Sequence, residues 1–397
     1  MYDHLKDYIK QLAASNKATI VDIRRHIHAH PELSFQEFST AKFIGKTLKD
    51  LGIEVQEGIA KTGLVALIKG KNPDKRIVAL RADIDALPIQ EKNDVAYKSQ
   101  VGGVMHACGH DVHTASMIGT AMILDALKDR FEGTVKLIFQ PAEEQVPGGA
   151  ISMIKEGVLK NPAPASILGQ HVGPTIPIGQ VGLTKGKMTA SADELYITVQ
   201  GQEGHVASPH RAVDPILIAA HIIVALQQIV KNSDPIVPSL LSICQVQGGE
   251  ATNIIPASVY LAGTFRTANE QWREQAHQKI TDLVQGIAQA MGGSCIVDIA
   301  KGYPSLYNDP ALTHRVGEAA KEYVGSENVS YIDMCMGGED FAYYAQQVPG
   351  CFYFIGIRNE DKGIDSFVHT PTFDIDEHAL EIGPGLMTWL ALQELAL

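Results

Sequence analysis

"GKMTASADELYITVQ", residues 186–200, is where the hydrophobic pattern of this 397-residue chain changes character, and the elements on its C-terminal side decide the architecture. Within it, "ELYITVQ" (194–200) alternates apolar and polar residues as a half-buried strand does. Beyond it, "DPILIAAHIIVALQQIV" (214–230) reads as a helix, "LLSICQV" (240–246) and "ASVYLAGTF" (257–265) as strands, "NEQWREQAHQKITDLVQGIAQAM" (269–291) as a helix and "CIVDIA" (295–300) as a strand. The order β-α-β-β-α-β is the ferredoxin-like split unit. A second domain is therefore expected at 188–302, inserted into a first domain made of 1–187 and 303–397.

The flanking sequence has a different style. Residues 17–31 and 36–51 carry amphipathic helical patterns, while "IVAL" (77–80) and "VKLIF" (135–139) are short apolar runs of the kind found in buried parallel strands. After the insertion, "DPALTHRVGEAAKEYV" (309–324) reads as a helix, "CFYFIGIR" (351–358) as a buried strand and "DEHALEIGPGLMTWLALQEL" (376–395) as a closing helix. This alternation predicts an α/β layered domain. There are no internal repeats and no low-complexity tracts.

Composition narrows the function. With 33 Lys and Arg against 45 Asp and Glu, the net charge of −12 opposes nucleic acid or an anionic membrane surface as partner. The five cysteines, an odd number and widely scattered, form no disulfide framework in a chain this long, which fits a reducing cytoplasm. The N-terminal stretch lacks the apolar core of a signal peptide, and no segment offers the ~20 apolar residues of a membrane span.

In open α/β sheets, ligands bind beyond the carboxyl ends of the strands. After "IVAL" come Asp83 and Asp85 in "RADIDALP"; after "VKLIF" come Glu143 and Glu144 in "QPAEE"; after "SIL" comes His171; well after "CFYFIGIR" comes His369 in "FVHTP". "HACGHDVHTAS" (106–116) adds Cys108, His110, Asp111 and His113 ahead of another helix. One such residue alone reads as a structural histidine or a solvated acid; their recurrence at corresponding ends points to one site. Cys108 and His110 are two apart, a spacing that shares a face in extended chain and not on a helix, so the helix is expected to begin after them. Thiolate and imidazole suit zinc or a similar transition metal, and the donors are too many for one tetrahedral ion, so two ions are more economical. Of the adjacent glutamates, one then ligates while the other takes a proton from a metal-activated water, which is hydrolysis chemistry.

Taken in order, "HPELSFQE", "LRADIDALPIQE", "HACGHDVHTA", "QPAEE", "GQHVGP", "ASADELYITVQGQEGHVASPHRAVDPI", "GGEATNIIPASVYLAGTFRT", "GGEDFAYY" and "VHTPTFDIDEHAL" resemble the co-catalytic metallopeptidase superfamily of aminoacylases and carboxypeptidases. The chain is most similar to the branch of hippurate hydrolases, N-acyl-amino-acid amidohydrolases and auxin-conjugate hydrolases, over about residues 19–388. The resemblance implies a mixed-sheet, zinc-peptidase-like catalytic domain with an inserted ferredoxin-like lid that mediates homodimerisation. It implies two divalent ions, Zn or Mn, with Co and Ni also suited. Cys108 would bridge them, His110 and His171 completing one shell and Glu144 and His369 the other. Glu143 would be general base and then acid. Asp83 and Asp85 would hold histidines in one tautomer, with Asp111 and His113 in capping or supporting roles. On the lid, His205 would steady the oxyanion, reaching across the dimer, while Asn253 and Arg266 would bind substrate carboxylate or carbonyl. Two departures stand out: Glu203 in "GQEGH", beside His205, and Thr370 in "VHTP", where serine is commoner.

The resulting expectation is hydrolysis of a small N-acyl amino acid to a carboxylate and a free amino acid. A metallo-dipeptidase or aminopeptidase is the neighbouring alternative, with Glu339 and Asp340 as candidate partners for a substrate amine. A Cys108 thiol hydrolase would leave the glutamates and distant histidines idle, and a non-catalytic binding protein would not need the complete constellation.

Overall fold

A computed structural model describes residues 2–231 and 238–397, which form two compact units: Met1–Gly186 with Tyr307–Asp333 and Asp340–Leu397, and Lys187–Leu306 with Met334–Glu339.

The first unit opens with α1 (Lys6–Ala29), α2 (Phe38–Asp50), β1 (Glu54–Ile59), β2 (Gly63–Lys69) and β3 (Ile77–Asp83). It continues with α3 (His110–Leu127), β4 (Thr134–Gln140), α4 (Gly149–Lys155), β5 (Ser166–Pro177), β6 (Val181–Leu183) and the short β7 (Gly186–Lys187). The second unit holds β8 (Asp193–Gln200), β9 (Gly204–His205), α5 (Pro215–Lys231), β10 (Ser239–Gln247), β11 (Ile254–Ile255), β12 (Ser258–Thr267), α6 (Glu270–Ala290) and β13 (Ser294–Lys301). The chain then returns through β14 (Tyr307–Asn308), α7 (Pro310–Val324), β15 (Val329–Tyr331), α8 (Ala342–Ala345), β16 (Gly350–Arg358) and α9 (Ala379–Leu395).

The first unit is built on a mixed eight-stranded sheet in the order β1-β2-β4-β3-β5-β16-β6-β15. Its centre is parallel: β3 pairs with β4 (Asp83↔Gln140) and β5 (Leu80↔Leu168), and β5 pairs with β16 (His171↔Phe354). Every residue of β4 is buried, as expected of a strand covered on both faces. The carboxyl ends of β3 and β4 and the middle of β5 thus lie at one sheet level, which gathers Asp83 at the end of β3, His171 within β5, and Asp85, Glu143 and Glu144 on the loops after β3 and β4. Helices α1, α3 and α9 pack together over the sheet, with Ile9, Ile20, Ile118, Leu124, Leu386 and Trp389 in the shared core. Helix α3 is buried almost all round, polar in its first turns at His110, Asp111 and His113 and mostly apolar beyond them, the burial of a central helix. Helix α1 begins at Lys6, well before the expected 17, because Ile9 and Ala13 extend the same buried stripe.

In the second unit the sheet order β10-β12-β8-β13, with α5 and α6 packed on it, is the arrangement of a split β-α-β-β-α-β unit. Leu195, Ile197 and Val199 point inward from β8 at period two, against Ile218, Ile222, Ile280 and Val284 of the helices. At the sheet end, buried Asp193 accepts from Arg273 Nε at 2.9 Å and the Gly302 N–H at 3.2 Å, and lies 2.7 Å from His277 Nε2. Asn269 caps α6 by accepting from Trp272 N at 2.9 Å, and Asp309 caps α7 from Leu312 N at 2.7 Å. Among the described residues, no helix is long and apolar enough to cross a membrane.

Candidate metal centre and active site

The site grows from the turn before α3. Gly109 has φ +83° and is the residue before the helix, so His110 is its first residue. A Cβ on Gly109 would sit 2.6 Å from Val172 Cγ2, which makes glycine a requirement of close approach as well as of conformation. The sharp turn brings Cys108, on the loop, and His110, inside the helix, to the same place. The sequence-based expectation that both lie ahead of the helix is corrected: the left-handed glycine does what an extended chain was expected to do.

One possible ligand atom from each of Cys108, His110 and His171 lies within 4.8 Å of the other two, with Cys108 Sγ 3.5 Å from His171 Nε2. Cys108, Glu144 and His369 form a second such group, in which His369 Nε2 is 3.0 Å from Glu144 Oε1. Cys108 belongs to both. Glu143, with Glu144, shares a third group with His110. His369 has φ +61°, a strained conformation for a non-glycine residue, and its N–H is tied to the Ala107 carbonyl at 2.7 Å.

Hydrogen bonds orient the imidazoles. His110 Nδ1 lies 3.1 Å from Asp85 Oδ1 and His171 Nδ1 lies 2.8 Å from the Val172 carbonyl, so each donates from Nδ1 and keeps the Nε2 lone pair for the site. His113 differs. It faces Asp83 Oδ1 at 2.5 Å through Nδ1, and its Nε2 accepts the Val172 N–H at 3.0 Å, so both nitrogens are used. Asp83 and His113 thereby brace the backbone just after His171, and Arg81 Nη1 donates to Asp83 Oδ2 at 2.6 Å.

Asp85 is fully engaged. Its Oδ1 takes the N–H of Glu143 at 3.0 Å beside the contact with His110, and its Oδ2 takes the N–H of Glu144 at 3.0 Å and the Ser34 hydroxyl at 2.6 Å. Asp340, buried, accepts from Arg81 Nη2, from Gln140 Nε2 and from the Ala150 N–H at 2.8, 2.8 and 3.0 Å. It therefore braces the same loop from its far side, with no substrate amine required.

The electrostatics call for cations. Burial raises the Cys108 thiol's pKa, and Glu144, Glu143 and Asp83 raise it further, well above the usual value. Burial opposes charge on His110, but Asp83, Asp85 and Glu144 outweigh it and push its pKa up to about 10. His110 Nε2 is buried without a hydrogen-bond partner and lies 3.9 Å from Glu144 Oε1, which itself has His369 Nε2 at 3.0 Å. An unpaired buried ring nitrogen among carboxylates is what a bound cation satisfies.

Asp111 was expected to cap the helix or support a ligand. It makes no cap; it accepts from Arg24 Nε at 2.7 Å and lies 2.8 Å from His28 Nδ1. Arg24 also donates to Asp374 at 2.9 Å, and His28 reaches Glu91 at 3.2 Å. Sequence reasoning did not single out Arg24, His28, Glu91, Arg81 or Gln140, whose partners are far away along the chain. In the second unit, His205 and Asn253 come together where β9 pairs with β11 (Ile254↔His205), and the Val206 N–H donates to the Asn253 carbonyl at 3.2 Å. His205 Nδ1 accepts the Ala207 N–H at 3.1 Å, which leaves the proton on an exposed Nε2. Arg266 Nη1 donates to the Met336 carbonyl at 2.8 Å.

Comparison with known proteins places the chain among hydrolases. The model of peptidase family M20/M25/M40 matches residues 79–393. The N-acetylcysteine deacetylase of Bacillus subtilis is 38% identical over 94% of this chain and 96% of its own. Thermostable carboxypeptidase 2 of Saccharolobus solfataricus is 38% identical over 99% of this chain and 98% of its own. Among solved structures, the Bacillus subtilis YxeP protein, described as a dinuclear metal-binding peptidase of family M20, has a TM-score of 0.83 at 36% identity, covering 96% of this chain and 99% of its own.

Proposed function

This chain belongs to peptidase family M20/M25/M40 and is a metal-dependent hydrolase, and from that premise we propose that it cleaves the amide bond of N-acyl amino acids to give a carboxylate and a free amino acid. The observation that carries the reading is Cys108 common to two ligand groups with the adjacent Glu143 and Glu144 beside them. Cys108, His110 and His171 would hold one divalent ion, and Cys108, Glu144 and His369 the other, with Cys108 bridging. His110 Nε2, buried without a hydrogen-bond partner, and the close approach of His369 Nε2 to Glu144 Oε1 at 3.0 Å fit that assignment. Two divalent ions, Zn or Mn with Co and Ni also suited, supply Lewis acidity that eases ionisation of water and polarises a carbonyl.

The protein's own groups do the rest. Glu143 takes one proton from the attacking water and returns it to the nitrogen of the departing amino acid, so the carboxylate ends as it began. Asp85 holds the backbone of both glutamates and the His110 ring in one frame, which sets the direction from which Glu143 acts. The second unit is read as a lid and dimerisation domain, with His205 donating from Nε2 to the developing oxyanion and Asn253 and Arg266 binding the substrate's polar end. Asp83 and His113 act behind the ligands, while Asp111 anchors the first turn of α3 through Arg24 and His28. A cytoplasmic location suits five cysteines that are all unpaired.

Thiol catalysis by Cys108 is disfavoured, because burial and three carboxylates keep the thiol protonated where a nucleophile needs an electropositive setting. The carboxypeptidase relative favours peptides as a second substrate class. A panel of N-acetyl, N-benzoyl and longer N-acyl amino acids beside dipeptides, assayed for free amino acid, tests the reading. Faster release from the acyl amino acids supports it; release from free dipeptides alone contradicts it.

A further inference from the structure

We propose that Glu37 is a positioning residue for Glu143, holding the strained turn that aims the base. Three consecutive backbone N–H groups, those of Ala142, Glu143 and Glu144, all end on buried carboxylates. Asp85 takes the last two. Glu37 takes the first, Oε1 accepting from Ala142 N at 2.9 Å, and it comes from the other side of the sequence, 105 positions away.

Ala142 has φ +53°, in the left-handed region that an L residue with a side chain avoids. The same Glu37 oxygen also accepts the N–H of Phe35 at 2.9 Å, and Phe35 has φ +60°. One carboxylate oxygen thus joins two non-glycine residues in the same disfavoured conformation. Its other oxygen accepts the Thr62 hydroxyl at 2.6 Å, which fixes the plane of the carboxylate. Glu37 is wholly buried, so its removal leaves the Ala142 N–H facing a cavity, where a trapped water would be a mobile, uncharged substitute for the fixed carboxylate. An Ala142 N–H without an acceptor would favour a peptide flip, and Glu143 is the next residue. Glu37 touches none of the five residues assigned to metal, so its effect passes through the backbone.

The inference rests on Glu143 as base, and the experiment separates the two claims. Wild type, Glu37→Ala, Glu37→Gln and Glu143→Gln are compared as full-length, metal-loaded proteins on the N-acyl amino acid that the wild type cleaves best. Metal content and amide hydrogen exchange of residues 140–145 are read alongside. In Glu37→Ala, kcat falls about 100-fold with KM within threefold and metal content unchanged, while exchange at 140–145 accelerates. Glu37→Gln, whose amide oxygen still accepts both N–H groups, recovers most of that kcat. Wild-type kcat in Glu37→Ala, with Glu143→Gln inactive, overturns the positioning role alone. Wild-type kcat in Glu143→Gln overturns the base and this inference with it. If Glu37→Ala does not accumulate folded, Thr62→Val decides: a severalfold fall in kcat at unchanged KM supports the role, and an unchanged kcat overturns it.

Discussion

Replacing Asp85 by Asn changes one atom of the side chain and removes the charge from the residue that frames the site. The wild-type carboxylate receives the N–H groups of Glu143 and Glu144, the Ser34 hydroxyl and the His110 ring, all within 3.1 Å. An Asn must turn its NH₂ toward one pair of these donors. Facing His110 and Glu143, it would meet two donors that cannot reverse; facing Ser34 and Glu144, it would meet one, since the Ser34 hydroxyl can rotate and accept. The second orientation wins, and the Glu144 N–H loses its charged acceptor. That loss amounts to about 1.5–3 kcal/mol, which expressed as a rate or affinity is roughly 10- to 150-fold. Asp85→Asn should therefore bind metal about 10- to 100-fold more weakly and turn over more slowly even when saturated with metal. Metal titration followed by stopped assays of amino acid release measures both. Wild-type affinity together with wild-type kcat would refute the framing role of Asp85.

Cys108→Ala removes the donor common to both ligand groups; metal bound per chain, read by elemental analysis after dialysis, should fall below two, and affinity by more than the ~100-fold that loss of a supporting residue costs. Gly109→Ala forces a Cβ to 2.6 Å from Val172 at φ +83° and should cost about 2–4 kcal/mol in urea unfolding. For Asp193, burial raises the pKa, but Arg273 and His277 outweigh it, so the folded value lies below the ordinary one. Its stabilisation is thus complete above the unfolded pKa of about 3.9 and is lost as pH falls through the lower folded value. Asp193→Asn should be less stable than wild type at pH 7 by roughly 3 kcal/mol, the gap closing as pH falls below the ordinary carboxylate range in acid unfolding monitored by circular dichroism.

Strands are legible where burial writes itself into composition. "IVAL" and "VKLIF" become β3 and β4, and because both are parallel and central, the residues after them can be gathered at one edge from sequence alone. Cys108, His110, Glu144, His171 and His369 come together as motif order suggests. Turn geometry and long-range pairing are not legible in this way. A glycine in sequence does not announce φ +83°, so sequence spacing places the start of α3 too late. Asp340 meets Arg81 across 259 positions, and Arg24 meets Asp111 across 87. No local periodicity marks such partners, since each is a polar residue made buriable only by the other. Ala142 is the extreme case, an unremarkable residue whose strained backbone exists because buried acceptors surround it.

The most direct test is to strip the protein with a chelator and titrate a single divalent metal back while following amino acid release. A binuclear hydrolase should show no release once stripped, and recovery that is complete at two ions per chain. Release that survives removal of all metal, or full recovery at one ion, would contradict the two-ion site.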